Sequence, residues 1–469
     1  MLFDTPVYFL FLALVTAVYW RLDRKRQNWF LLAASYLFYG WWDWRFLLLM
    51  MGSTLVDYLV SHRIDSSGNP GRRRAWLTLS LVINFGCLGI FKYFNFFADS
   101  VAGALHLAGI QPRLIPFFQI ILPPGISFYT FQEVAYIVDV YSRKLKPADS
   151  LTDYALFVSL FPHLIAGPIQ RPSHLLPQVQ HERFFHPKAF FDGCMLIASG
   201  LFRKCVIADR CALIANAGFD GRMGHSFLAT TLAAVAFAFQ IYGDFSGYSD
   251  LARGSAQLLG FHFMVNFRQP YLAISLQDFW RRWHVSLSTW LRDYLYIPLG
   301  GSRQGERKTY RNLMATMLLG GLWHGANWTF VTWGGIHGTG LSVERFLNRR
   351  SASVPDPRGL RLWLHRLFIF ALVCLAWIYF RAASLAGATR MIEDLRIWEW
   401  TPEFGITILV LGVVIAVTLL MDLRMEEYDE EYPFERLPAP RRVALAMILL
   451  VIVTAFSASQ SNAFIYFQF

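Results

Sequence analysis

The sequence predicts an all-α integral membrane protein, and three observations lead there. Of its 469 residues, 55% are hydrophobic and only 16% charged, against about 25% charged in soluble globular domains. A folded chain this poor in polar surface does not stay dissolved, so a soluble enzyme is excluded. Sixteen Trp and 20 Tyr suit two membrane–water interfaces, where amphipathic rings anchor helix ends. Apolar runs close to the roughly 20 residues needed to cross a bilayer recur along the chain, separated by basic loops.

In order, the runs fall at 5–20, 28–42, 45–61, 75–97, 126–141, 188–202, 226–243, 312–332, 362–381, 404–421 and 443–459, with shorter apolar pieces at 115–123, 153–166 and 333–343. They predict about 10–12 spans plus re-entrant and interfacial helices. The first run ends in Arg21-Leu-Asp-Arg-Lys-Arg26 rather than a small-residue cleavage site, and is expected to be a retained span. Segments 21–26 and 63–74 each carry four basic residues and one acidic. Both are expected in the cytoplasm, with the N-terminus outside. Segments 268–311 and 345–361 are expected inside as well. Residues 98–114 are expected to form an external loop and the acid-rich stretch 422–442 a solvated one. No repeat or separate soluble module appears, so residues 1–469 are expected to form a single domain.

The formal charge of +11 follows from this loop bias and from attraction to anionic membrane lipid; no nucleic-acid partner is expected. Five cysteines are scattered without a CxxC pair, which argues against a disulfide framework or a zinc site.

Segment 268–311 is unlike a simple loop. Eight basic residues outnumber Asp278, Asp293 and Glu306. Trp280, Trp283, Leu287, Trp290 and Leu291 recur at helical spacing, as in an amphipathic helix at the inner interface or dipping into the protein.

Polar residues within apolar runs are functional candidates. In Gly320-Gly-Leu-Trp-His-Gly-Ala-Asn-Trp328, His324 sits with Asn327 at i+3 and Trp328 at i+4, so all three are expected to share one helix face. Gly321 with Gly325, and Gly334 with Gly338, form small-xxx-small pairs that let helices approach closely. His324 is read in two ways: as a hydrogen-bonded core histidine, or as a general base whose ordinary pKa of about 6.5 suits proton transfer from a hydroxyl. His284, in Gln277-Asp-Phe-Trp-Arg-Arg-Trp-His284, is either an interfacial histidine or a partner converging on His324. The stretch Gln240-Ile-Tyr-Gly-Asp-Phe-Ser-Gly-Tyr-Ser-Asp250 brings Asp244, Ser246, Ser249 and Asp250 to the end of an apolar run. It suggests a broken helix lining a polar cavity or an interfacial cap. His163, between two prolines in a re-entrant turn, and His337 are expected to be structural. Gly300–Gly305 lacks the Lys and Ser/Thr of a phosphate loop, and neither a G-x-S-x-G elbow nor an HExxH zinc motif occurs. ATP-driven transport and serine-hydrolase chemistry lose ground.

Six stretches together resemble the membrane-bound O-acyltransferase (MBOAT) family, and within it the alginate O-acetyltransferase membrane subunits and their polysaccharide-acetylating relatives. They are Leu122-Pro-Pro-Gly-Ile-Ser-Phe-Tyr-Thr-Phe-Gln132, Phe161-Pro-His-Leu-Ile-Ala-Gly-Pro168, Tyr242-Gly-Asp-Phe-Ser-Gly-Tyr-Ser-Asp250, Asp278-Phe-Trp-Arg-Arg-Trp-His284, Leu322-Trp-His-Gly325 and Phe464-Ile-Tyr-Phe-Gln-Phe469. The resemblance implies a multi-span helical fold around a central tunnel in the bacterial inner (cytoplasmic) membrane. It also implies an acyl thioester donor, acetyl-CoA foremost, with no bound cofactor and no metal. His324 matches the family's catalytic histidine and His284 the second polar position of its signature. On this reading Trp323, Asn327, Asp244 and Ser246 line the substrate tunnel, and Arg281 and Arg282 receive the donor's phosphates. Asn327, Trp323 or His284 would hydrogen-bond the developing oxyanion. Periplasmic acetyltransferase partners and a polysaccharide acceptor are implied as well. The alternatives are D-alanyl transfer to teichoic acid by the same chemistry, and a transporter or channel using the histidines as a proton relay.

Overall fold

The structure, a computed structural model, describes residues 1–110, 120–165, 167–350 and 357–456. The terminal motif at 464–469, much of the apolar piece at 115–123 and the last residues of the 443–459 run lie outside them. The protein is all-α: every regular element among the described residues is helical. They form two compact units, residues 1–190 with 256–263, and residues 191–255 with 264–469.

In the first unit, polar residues just before the apolar runs start the helices. Thr5 caps Pro6–Tyr19, Asp23 caps Arg24–Gly40, Asp43 caps Trp44–Ser66 and Asn69 caps Pro70–Leu88, each accepting a first-turn backbone N–H at 2.8–3.4 Å. The expected external loop at 98–114 is instead helical through Phe94–Leu107, because the apolar run continues into it. Ile126–Tyr141 is buried on nearly every face. Its Glu133 accepts from Ser53 and Thr54 of a neighbouring helix at 3.1 and 3.0 Å, and Asp57 accepts from Ser80 and Asn84 at 2.5 and 2.8 Å. Such pairing is required where no water reaches. His163 is buried and meets Gln132 at 3.2 Å, in keeping with a structural role.

The second unit is organised around Phe227–Leu258, one unbroken helix of 32 residues. The 240–250 stretch is therefore neither a broken helix nor a cap. It lies mid-helix because its glycines serve packing: a Cβ on Gly247 would stand 2.7 Å from the Gly200 carbonyl oxygen, and one on Gly254 2.6 Å from that of Gly193. Only glycine lets the Pro187–Leu201 helix lie this close.

Among the described residues, five helices are by themselves long and apolar enough to cross a membrane: Pro70–Leu107, Phe227–Leu258, Leu360–Arg381, Pro402–Tyr428 and Ala439–Phe456. The 10–12 spans expected include shorter or more polar helices as well. Pro6–Tyr19, Arg24–Gly40, Ile126–Tyr141 and Pro187–Leu201 are helices at the expected places but have only 14, 17, 16 and 15 residues. A helix walled by protein need not match the hydrocarbon thickness.

The 312–332 run is not one helix. Glu306–His324 ends at Gly325, whose backbone is extended (φ −160°, ψ 148°), and Trp328–Arg350 follows. Asn327 accepts the Thr329 N–H at 3.0 Å and so starts the second helix. His324, Asn327 and Trp328 consequently do not share a helix face. The two helices pack glycine to backbone: a Cβ on Gly334 would collide with the Met317 carbonyl, whereas one on Gly335 would meet Leu318 Cδ2 at an ordinary 3.6 Å. Gly334→Ala is therefore expected to lower the thermal midpoint in detergent by the equivalent of about 1–3 kcal/mol. Gly335→Ala should leave it unchanged; equal midpoints for the two variants would refute this packing.

Candidate active site

Two histidines from different elements meet in the second unit. The 268–311 segment folds as two short helices, Leu276–Arg282 and Val285–Leu291, rather than one. Between them His284 adopts left-handed backbone angles (φ 43°, ψ 55°). That conformation is unfavourable for a side chain with a Cβ, and such strain concentrates at functional sites. The break turns the chain so that Trp283, Leu287, Trp290 and Leu291 are all buried; the segment dips into the protein.

His324 is the last residue of its helix. Its ring is surrounded by Trp323, Trp333 and Phe380, with centroids at 5.0, 5.1 and 5.3 Å. The His284 ring lies 6.4 Å from it, centroid to centroid, and Trp323 lies 6.0 Å from His284. His284 is 0% exposed and His324 3%. Burial pushes the His284 pKa down, to about 3, so the ring is neutral. Its Nδ1 faces Asn266 Oδ1 at 3.1 Å.

The other expected site residues are dispersed. Trp323 is beside both imidazoles. Asn327 is engaged as a helix cap and reaches the Ala383 carbonyl at 3.4 Å. Asp244 pairs with Lys204 at 2.9 Å, and Lys204 pairs also with Asp209 at 3.0 Å. Ser246 accepts from Arg203 at 3.3 Å. Between them Phe245 stands edge-on to His284 at 4.6 Å, so this helix touches the histidine pair through an aromatic ring. His337 accepts the Trp280 indole N–H at 3.3 Å, a packing role as expected.

Arg281 and Arg282 part company. Arg282 bonds Asp278 at 2.9 Å and Glu426 at 2.8 Å. Arg281 is exposed and lines a cavity of about 630 Å³ together with Arg292, Arg345, Val285, Ser288 and Met317. Arg292 and Arg345 already pair with Asp293 and Glu306. Arg281 has no ion-pair partner among the described residues. The lining includes Val285, the neighbour of His284, but neither histidine.

Sequence reasoning missed Asn266 and the buried cations Arg203 and Lys204. Asn266 lies in an irregular segment between helices, where no periodicity marks it. Arg203 and Lys204 follow an apolar run and read as a boundary, yet both are buried in a π-helical turn, Phe202–Ala208.

A helical membrane protein whose buried interior holds two facing imidazoles has the parts of a proton-transfer site set apart from water. The model of the membrane-bound O-acyltransferase family matches residues 142–386, both histidines included, and the chain belongs to that family. It is a multi-pass membrane O-acyltransferase. Over the full length of both chains it is 40% identical to the "Probable alginate O-acetylase AlgI" of Azotobacter vinelandii. It is 37% identical to the "Peptidoglycan O-acetyltransferase" of Helicobacter pylori, over 84% of this chain and 80% of that one. Against the "Teichoic acid D-alanyltransferase" of Bacillus subtilis identity falls to 25%, over 55% and 68% of the two chains.

Proposed function

We propose that this chain moves an acetyl group from a cytoplasmic thioester, acetyl-CoA, across the bacterial inner membrane toward an exopolysaccharide such as alginate, the polymer in the name of its full-length Azotobacter vinelandii relative. The observation that carries the proposal is the approach of His284 to His324 at 6.4 Å in a buried, aromatic-walled site. His324 acts as general base. It takes the proton of an acceptor hydroxyl as that oxygen attacks the thioester carbonyl. When the tetrahedral intermediate collapses the C–S bond breaks, and the imidazolium returns the proton to the thiolate. The products are an O-acetyl ester and the free thiol. Trp323, whose ring lies beside both imidazoles, is the favoured oxyanion donor, since Asn327 is held in its cap and His284 turns its N–H to Asn266.

The arginine-lined cavity is the proposed donor site. A flexible acyl-thioester arm suits its apolar interior, and phosphates suit Arg281. On this reading residues 1–469 act as one catalytic domain, with periplasmic acetyltransferases as onward carriers. D-Alanyl transfer is the second reading, and the lower identity and coverage of the D-alanyltransferase relative disfavour it.

The deciding experiment supplies the purified, reconstituted protein with labelled acetyl-CoA or with a D-alanyl carrier thioester. Thiol release with acetyl-CoA alone supports the proposal. Release with the D-alanyl thioester alone, or solute flux without thiol release, overturns it. In the same assay Arg281→Ala is expected to raise the KM for acetyl-CoA about 10-fold, the loss of one charge-assisted hydrogen bond, with kcat little changed. An unaltered KM would place the donor elsewhere.

A further inference from the structure

The hydrogen bonds around His284 determine which of its nitrogens carries the proton. Asn266 Oδ1 faces the backbone N–H of Ser286 at 3.2 Å. A backbone N–H can only donate, so the Asn266 atom there is the carbonyl oxygen and the amide orientation is fixed. The Ser286 hydroxyl donates to the same oxygen at 2.9 Å, and the Asn266 amide N–H₂ donates to Ser249 Oγ at 3.3 Å. The Ser286 hydroxyl oxygen also stands 3.4 Å from His284 Nδ1, but its hydrogen is committed to the closer Asn266 oxygen, so with that oxygen 3.1 Å from Nδ1 it is Nδ1 that bears the hydrogen. The neutral ring has one N–H, so Nε2 is left with a bare lone pair. Nε2 is buried and has no hydrogen-bond partner among the described residues, an arrangement that costs stability and is kept where function uses it.

We infer that Asn266 is a positioning residue: it locks His284 as the Nδ1–H tautomer, so that the ring offers Nε2 as a hydrogen-bond acceptor beside His324. The inference rests on the proposed reading of the two histidines as the acyl-transfer site. It also gives the second histidine a distinct task. A neutral His284 held this way cannot donate to an oxyanion. It can accept an N–H, directly or through one water, and so stabilise the imidazolium that forms when His324 takes the acceptor's proton. A tautomer fixed by the bond at the opposite nitrogen is a general device for imidazoles. The rings around His284, namely Phe245, Phe267 and Trp323, contribute packing but no competing carboxylate.

The test is a nitrogen NMR spectrum of the reconstituted protein labelled at histidine, with His284 assigned by its disappearance in His284→Gln. The expected spectrum has a pyridine-type signal at His284 Nε2 and a pyrrole-type signal at Nδ1. Asn266→Ala should mix or reverse the two and lower kcat about 10- to 100-fold, with the KM for acetyl-CoA nearly unchanged. Asn266→Asp, which still accepts the Nδ1–H, should restore both the spectrum and most of the kcat. A pyridine-type signal at Nδ1 in the unaltered protein overturns the inference whatever the kinetics show. An Asn266→Ala enzyme with unaltered spectrum and kcat overturns it too. Normal turnover by His284→Gln would overturn it by a different route, through the catalytic reading of that ring, and an intact tautomer spectrum would tell the two failures apart.

Discussion

Replacing His324 with Gln is expected to abolish acyl transfer while leaving the protein folded and inserted. Positioned general acid–base catalysis contributes about 10²–10⁴ in rate, and in this mechanism one imidazole both accepts the hydroxyl proton and returns it to the thiolate. A loss of at least about 10³-fold in thiol release is therefore expected. Gln is chosen because it approaches the volume of His and keeps hydrogen-bonding capacity, so the packing of Trp323, Trp333 and Phe380 around the site is disturbed little. His324→Ala removes the ring entirely and leaves a hole at the end of the Glu306–His324 helix. If the hole admits a small base, added imidazole should recover part of the lost rate in the Ala variant and none in the Gln variant. The measurement is labelled-acetyl transfer per molecule of protein, with abundance and thermal midpoint alongside. A Gln variant retaining a tenth of the normal rate or more would mean that His324 is a packing residue.

How much of this was legible in the sequence varied with the physics behind each signal. Span positions were legible because burial in lipid writes long apolar runs, and the helices at 362–381 and 404–421 fall where the runs are. The length of each helix was not legible. A helix enclosed by protein, such as Ile126–Tyr141, is as apolar as one facing lipid and need not be as long. His324 stood out as a candidate because an imidazole is rare in an apolar run, and His284 because it follows the basic, aromatic Asp278-Phe-Trp-Arg-Arg-Trp283. Their convergence was only one of two readings, since the turn that achieves it is a left-handed His284 and no composition rule marks a strained histidine. The Gly321/Gly325 spacing announced close packing, but its second member does a different job. Gly325 is where the helix stops and lies tight against the Phe330 ring, while the approach of backbone to backbone is made by Gly321 and Gly334. Asp244 and Ser246 were legible as buried polar residues. Their partners Lys204 and Arg203 were not, because a charge after an apolar run looks the same whether it reaches water or turns inward.

The same buried cations give the largest expected effect on stability. Lys204→Met is expected to destabilise the protein by about 3–5 kcal/mol. Its ammonium sits between Asp209 and Asp244 at 3.0 and 2.9 Å, and all three side chains are almost completely buried. The ammonium also lies 5.9 Å from the centre of the Tyr248 ring. Met fills similar volume, so the expected loss is not one of packing. It arises because Asp209 and Asp244 both lose the ammonium they pair with, where solvation cannot replace the lost Coulomb attraction. Charge balance supplies the test. Lys204→Met combined with Asp244→Asn leaves one buried carboxylate instead of two, and should be more stable than Lys204→Met alone. Adding Asp209→Asn should recover still more, so that the triple variant outlasts the single one in thermal unfolding in detergent. This ordering, in which further substitution restores stability, is peculiar to an uncompensated buried charge, because lost packing would accumulate with each change. If the single variant unfolds at the normal midpoint, Asp209 and Asp244 must already be neutral, and the contact between the Phe202–Ala208 turn and the long Phe227–Leu258 helix would owe its stability to the glycine packing and to Arg203, which reaches Ser246 and Asp250.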